Sequence, residues 1–200
     1  NSLYDIFLES RKIPRNGETV KGLNWYPKLG GKGCNQAIAA SFSKFPVKLL
    51  SAIGKDEFAK YIFEKLKKYK INTNHIETLD KHKTGMSVAI SNINGDYGAV
   101  IISGANNYIN YKKINDKILW QNASILMLQN EIDEKINLQA AKKAKKMGIK
   151  VFYNAAPSKK LNTSLCKLVD MLLVNKIEAE DITGTKLNSL KEIKKGSKLL

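Results

Sequence analysis

Hydrophobic and polar positions run through this chain in two rhythms. Between Asp56 and Lys70, the residues Phe58, Ile62, Leu66 and Tyr69 recur at helical spacing with lysines opposite, which predicts an amphipathic helix. Asp133 to Met147 repeats the pattern and is closed by Gly148. Short apolar runs of strand length lie between them: Leu3 to Leu8, Val47 to Ile53, Ala123 to Leu128, Lys150 to Tyr153 and Met171 to Val174. The strand–helix alternation from Val47 onward predicts an α/β fold, a doubly wound and mostly parallel sheet with helices on both faces. A second rhythm is half-exposed. Glu18 to Val20 with Leu23 to Tyr26, and Thr84 to Ile90 with Ala99 to Ser103 around the turn Asn94-Gly95-Asp96, read as strands of a small β-sheet lid over about 6–28 and 84–103. Asn175 is expected to cap a helix containing Glu178 to Ile182, and Ser189 a last helix running to Leu200. No internal repeat or linker divides the chain, so residues 1–200 read as a single domain.

Composition narrows the class. Two hundred residues at 43% hydrophobic content support a real core, and no run approaches the length of a membrane span. Asn1 to Asp5 show no signal-peptide pattern, and the absence of an initiator Met implies residues upstream. Cys34 and Cys166 stand far apart without metal spacing, which suits buried thiols in a reducing, cytoplasmic compartment. His75 and His82 lack partners at ligand or triad spacing and are expected at the surface. The net charge of +16 invites a nucleic-acid reading. Against it, only Arg11 and Arg15 are arginines, and the lysines scatter over solvated helix faces, so no specific nucleic-acid partner is expected.

The chemistry concentrates at Gly30-Gly31-Lys32-Gly33-Cys34-Asn35-Gln36, which runs into Ala37-Ile38-Ala39-Ala40. A glycine-rich turn opening a helix leaves backbone N–H groups and the positive end of a dipole facing a ligand. With Lys32 and Asn35 beside it, the loop suits a polyhydroxylated or anionic ligand. It is neither a Walker loop nor a dinucleotide Gly-x-Gly-x-x-Gly. Asp5, read at the exit of the first strand, serves either as a turn cap or as a carboxylate facing the same crevice. Asn175-x-x-Glu178 likewise reads two ways, as an N-cap with a paired glutamate or as groups orienting waters around magnesium.

The loop resembles the first signature of the ribokinase-type (phosphofructokinase-B) sugar kinases, Gly-Gly-Lys-Gly-Ala-Asn-Gln-Ala in its ribokinase form. Other stretches follow in the family's order: Asp5, Pro14 with Gly17-Glu18-Thr19-Val20, Ile53-Gly54-Lys55-Asp56, Gly104-Ala105-Asn106, Gln129-Asn130-Glu131, Asn154-Ala155-Ala156-Pro157 and Asn175 to Glu180. The resemblance implies a kinase transferring the ATP γ-phosphate to O5 of D-ribose. It places Asp5 and Asn35 on sugar hydroxyls, Gly31 and Lys32 in the loop, and Glu131 on the far side. Asn175 would serve the nucleotide phosphates and Glu178 would hold Mg2+ through water, with a monovalent cation such as K+ as a further requirement. Asn154, Pro157 and Gly104 to Asn106 would shape the pocket wall. An asparagine that the family often carries two positions before Asp5 is Leu3 here, unless a shift of the strand brings in Asn1. The family's Gly-Ala-Gly-Asp motif, with its catalytic base, does not occur in these residues and is expected beyond Leu200, making this an incomplete domain without the nucleotide part. Homodimerisation through the β lid is the assembly the resemblance implies. A related kinase for another sugar or a nucleoside, and a non-catalytic pentose-binding protein, are the competing readings.

Overall fold

The computed structural model describes residues 1–198, and the chain divides into two compact units, Asn1–Ile109 and Asn110–Leu200. The first unit opens with β1 (Leu3–Ser10) and β2 (Gly22–Gly30), followed by α1 (Lys32–Ser41), β3 (Ser51–Gly54) and α2 (Glu57–Lys68). It continues through β4 (Ile76–Leu79), β5 (Met86–Asn92) and β6 (Tyr97–Ile102) to a 3₁₀ turn at Gly104–Tyr108. One four-stranded sheet has the order β2-β1-β5-β6, with β1 antiparallel to β2 and parallel to β5. The lid strands are therefore continuous with the first strand, which runs through the middle of their sheet. Asp5 consequently sits within β1 and not at its exit, paired with Lys28 on one side and Ser87 on the other.

Glu18 to Val20 are not a strand. The Glu18 carboxylate accepts from Arg15 N–H at 3.1 Å and pairs with Lys12, so these residues fold back as part of the β1–β2 connection. The strand expected over Val47 to Ile53 is shortened to β3, preceded by an isolated bridge between Lys48 and Asn72. Its parallel partner β4 has no clear alternation of its own and exists because β3 pairs with it. That pairing starts beside His75, whose C=O accepts from Ser51 N–H at 3.5 Å, and this explains why His75 is buried and not at the surface. His82 is half-buried and stacks on Tyr108 with ring centroids 3.6 Å apart.

The core of this unit gathers Cys34, Leu49, Ile53, Ile62, Leu66, Ile71 and Ile76. Ile62 and Leu66 on the apolar stripe of α2 are fully buried, each stabilising by about 1.5–3 kcal/mol. Asp56 caps α2, accepting from Ala59 N–H at 3.0 Å. It also receives Thr84 N–H at 2.8 Å and Thr84 Oγ–H at 2.6 Å, tying the helix start to the chain entering β5. Burial acts to raise its pKa, but the hydrogen bonds from Thr84 and Ala59 outweigh it and hold the carboxyl below its ordinary value. A depressed carboxyl stabilises at neutral pH and loses that contribution as pH falls through the folded-state pKa. Asp56→Ala is expected to cost about 0.5–2 kcal/mol by urea denaturation. An unchanged midpoint would remove the cap from the account.

The second unit holds a 3₁₀ turn at Tyr111–Asn115, α3 (Lys117–Trp120), β7 (Ile125–Gln129), α4 (Glu134–Lys146), β8 (Lys150–Asn154), α5 (Thr163–Cys166), β9 (Met171–Leu173), α6 (Lys176–Thr183) and α7 (Leu190–Gly196). β7, β8 and β9 form a parallel sheet in that order, and α4 packs on β7 and β8 through Ile136, Ala140, Ala141 and Ala144. Three parallel strands in chain order need a crossover between each pair, and α4 and α5 supply them. The α/β class holds, with parallel pairing in the two-stranded sheet β3–β4 and the three-stranded sheet β7–β8–β9, while β5 and β6 pair antiparallel as the hairpin turn predicts. The last helix ends at Gly196, and the remainder of its expected course to Leu200 lies partly outside the described residues. Among the described residues no helix is long and apolar enough to cross a membrane.

Candidate active site

Pairing of β1 with β2 decides where the glycine loop falls. Leu3 faces Gly30 and Asp5 faces Lys28, so the loop leaves β2 alongside the start of β1. Gly30 carries no Cβ, and one built there would lie inside the Asp5 carboxylate. Asp5 thus rests against the loop backbone, with Oδ1 accepting from Ser87 Oγ–H at 2.7 Å. Gly31 is the N-cap of α1 at φ 89°, a left-handed value that an L side chain adopts only with strain. Lys32, half-buried, opens the helix, and Asn35 is exposed one turn further.

The helix start is not the open set of N–H donors expected from the sequence. Gly33 N–H donates to Asn1 Oδ1 at 3.0 Å, Cys34 N–H to Asn1 C=O at 3.0 Å, and Asn35 N–H to Gly31 C=O at 2.9 Å. Asn1 therefore has a defined place, but its amide supports the loop. The polar side chains at this edge are those of Asp5, Lys32 and Asn35. Lys28 and Ser87 share the sheet face of Asp5 by register, and Lys28 Nζ stands 4.8 Å from the Phe7 ring and 5.0 Å from the Tyr26 ring. Sequence reasoning missed both, because a strand's cross-partners are legible only once its register is known.

In the second unit, Asn154 closes β8, and Glu131 and Asn175 lie just past the carboxyl ends of β7 and β9, where α/β sheets bind ligands. Glu131 is half-buried, and its N–H donates to Gln129 Oε1. Beside it Asn130 is buried, donating from Nδ2 to Pro157 C=O at 3.0 Å and accepting from the Tyr153 hydroxyl. Lys159 Nζ donates to Asn130 C=O at 2.6 Å, placing a cation at this strand end that the sequence pattern did not single out. Burial pushes the Tyr153 phenol up to about 12, which keeps it a donor to Asn130. Gly104 to Asn106 belong to the first unit, where Ala105 and Asn106 are buried.

Asn175 and Glu178 form a complete capping box on α6. Glu178 N–H donates to Asn175 Oδ1, and Asn175 N–H to Glu178 Oε2, each at 2.8 Å. Among the described residues no group of three or more His, Cys, Asp or Glu side chains can hold a metal ion. The box engages Glu178 through Oε2, and contact through water by the other oxygen fits magnesium's preference for retained waters.

A glycine loop beside the Asp5 carboxylate in the first unit, and parallel strands with polar carboxyl ends in the second, are features of a carbohydrate-kinase fold. The family described as pfkB family carbohydrate kinase matches residues 2–199, and the chain belongs to it. It is 34% identical over 182 residues to a ribokinase of Lactococcus lactis, covering 89% of this chain and 59% of that protein. A deoxyribokinase of Salmonella typhi is 28% identical over 202 residues, covering 100% of this chain and 66% of its own length. The chain thus spans about three-fifths to two-thirds of these relatives. Among solved structures, Arabidopsis thaliana ribokinase complexed with ribose and ATP superposes with a TM-score of 0.89 at 26% identity, covering 99% of this chain and 65% of that one.

Proposed function

We propose that the full-length protein is an ATP-dependent kinase that phosphorylates D-ribose at O5, giving ribose 5-phosphate. The observation that carries the reading is the Asp5 carboxylate, held by Ser87 against the glycine loop from which Lys32 and Asn35 project. A carboxylate accepts from a sugar hydroxyl, while amide and ammonium groups donate to others, and together they fix one sugar in one orientation. Glu131 is assigned the far side of the sugar, and a carboxylate base outside residues 1–200 the hydroxyl proton. The relatives named ribokinase, one of them solved with ribose and ATP, support both substrates. We read the two units as one incomplete domain in a cytoplasmic protein, with no specific nucleic-acid partner.

When bound, magnesium neutralises charge on the transferring phosphates. Asn175 is assigned to the phosphates and Glu178 to the metal's water shell, and K+ is a proposed activator. Glu178→Gln keeps an amide oxygen for the capping box and removes the charge. It should raise the Mg2+ requirement by about 10–100-fold with little change in ribose binding. An unaltered requirement would reduce Glu178 to a capping residue.

The deciding experiment offers a panel of pentoses, hexoses and nucleosides to the full-length protein with ATP and Mg2+ and reads ADP release. Ribose should turn over fastest. Preference for 2-deoxyribose is the second reading, favoured by the Salmonella relative that matches the whole chain. Sugar binding without ADP release would instead establish a pentose-binding protein.

A further inference from the structure

Asn106 is fully buried, and both atoms of its amide are engaged twice. Oδ1 accepts from Ser2 N–H at 2.9 Å and from Ser51 Oγ–H at 3.3 Å. Nδ2 donates to Ser2 C=O at 2.8 Å and to Ser103 C=O at 2.9 Å. The registered β1–β5 ladder begins at Tyr4 and Met86, with Tyr4 N–H on Gly85 C=O at 2.9 Å. Two residues earlier, the Asn106 side chain pairs with both backbone groups of Ser2, as a neighbouring strand would. Gly85 makes room for it, since a Cβ there would come within 2.6 Å of Nδ2.

The contact continues toward the loop. Ser2 Oγ lies 2.9 Å from Ser51 Oγ and receives Cys34 Sγ–H at 3.1 Å. Asn1, held next to Ser2, accepts the Gly33 and Cys34 N–H groups at the first turn of α1. A continuous buried path therefore runs from Asn106 through Ser2 and Asn1 to the residues that flank Lys32 and precede Asn35. Buried networks of this kind, with each member satisfied, hold a single geometry.

We infer that Asn106 is a positioning residue for the sugar site: it fixes Ser2 and Asn1, which fix the glycine loop that carries Lys32 and Asn35. This rests on the sugar-kinase reading, and the tests separate the two. Asn106→Ala in the full-length protein leaves both Ser2 backbone groups without their buried partner. Amide exchange at Gly33 and Cys34 should then accelerate about tenfold or more, with protection in α2 and in residues 110–198 retained. By calorimetry ribose affinity should fall about tenfold while ATP affinity stays within about twofold. Ser51→Ala keeps the Asn106–Ser2 pairing and should show the same pattern more weakly, and it serves if Asn106→Ala does not fold. Unchanged exchange at Gly33 and Cys34, exchange accelerated uniformly through the protein, or unchanged ribose affinity despite a loosened loop would each overturn the inference. A wild-type protein that binds no pentose would instead overturn the sugar reading, which the exchange measurement does not need.

Discussion

Asp5→Asn is expected to weaken ribose binding by about 1.5–3 kcal/mol, roughly 10–150-fold, while ATP binding stays unchanged. The magnitude follows from replacing a charged acceptor with a neutral one at a hydroxyl. The selectivity follows from the proposed roles, because Asp5 lies within β1 beside Ser87 and the glycine loop, whereas the phosphates are assigned to Asn175 after β9. Asparagine matches aspartate in size, so the packing against Gly30 survives and Ser87 Oγ–H still meets an oxygen. Gly30→Ala probes the same place from the other side. Its methyl would have to displace the Asp5 carboxylate, so ribose affinity should fall even with the charge intact. Isothermal titration with ribose and with an ATP analogue separates the two ligands. Equal loss of both would make Asp5 a folding residue, and no loss would remove it from the site.

The sequence made the elements with strong periodicity easy to read. α2 and α4 begin and end within two residues of their expected bounds, because an apolar stripe, an acidic cap and a closing turn all point the same way. The order of motifs also placed Asp5, the loop and the strand-end residues in sequence. Register stayed hidden. That Lys28 and Ser87 flank Asp5 depends on which residues of β2 and β5 meet β1, a matter of long-range pairing. β4 escaped notice for the same reason, since Ile-Glu-Thr-Leu becomes a strand through its neighbour. The use of Asn1 and Asn106 as buried braces was equally illegible. An asparagine near a glycine reads as a turn or a ligand until its partners are known. At Asn175 the capping reading and the metal reading used the same two side chains, and only the first is expressed as hydrogen bonds within the chain.

We propose that the lid sheet pairs two copies of the full-length protein, and Val100→Lys is expected to separate that homodimer into monomers and to impair sugar closure together. Register puts Ile6, Val88 and Val100 in one row across the sheet, with Pro27 at its β2 end. Trp25, Leu8 and Ile90 form the next row on the same face, and Ile102 with Met86 the one before. Tyr4 at the near end of this face stacks on Phe58 of α2, with ring centroids 4.2 Å apart. Further along, Trp25 is 61% exposed and Val100 68%, an apolar area on the far side of the sheet from Asp5. Exposed patches of this kind mark interfaces, and a second copy of the same sheet covers one with two-fold symmetry. In such an isologous contact Val100 lies near its own symmetry mate's patch. A lysine there would be desolvated and set near a like charge, at a cost of several kcal/mol. The row also contains Ile6, one residue from Asp5 in β1, so parting the sheets should loosen the strand that carries the proposed sugar contact. Light scattering at micromolar concentration, paired with ribose titration, reads both effects. A wild-type full-length protein that is monomeric and fully active at that concentration would sink the lid dimer.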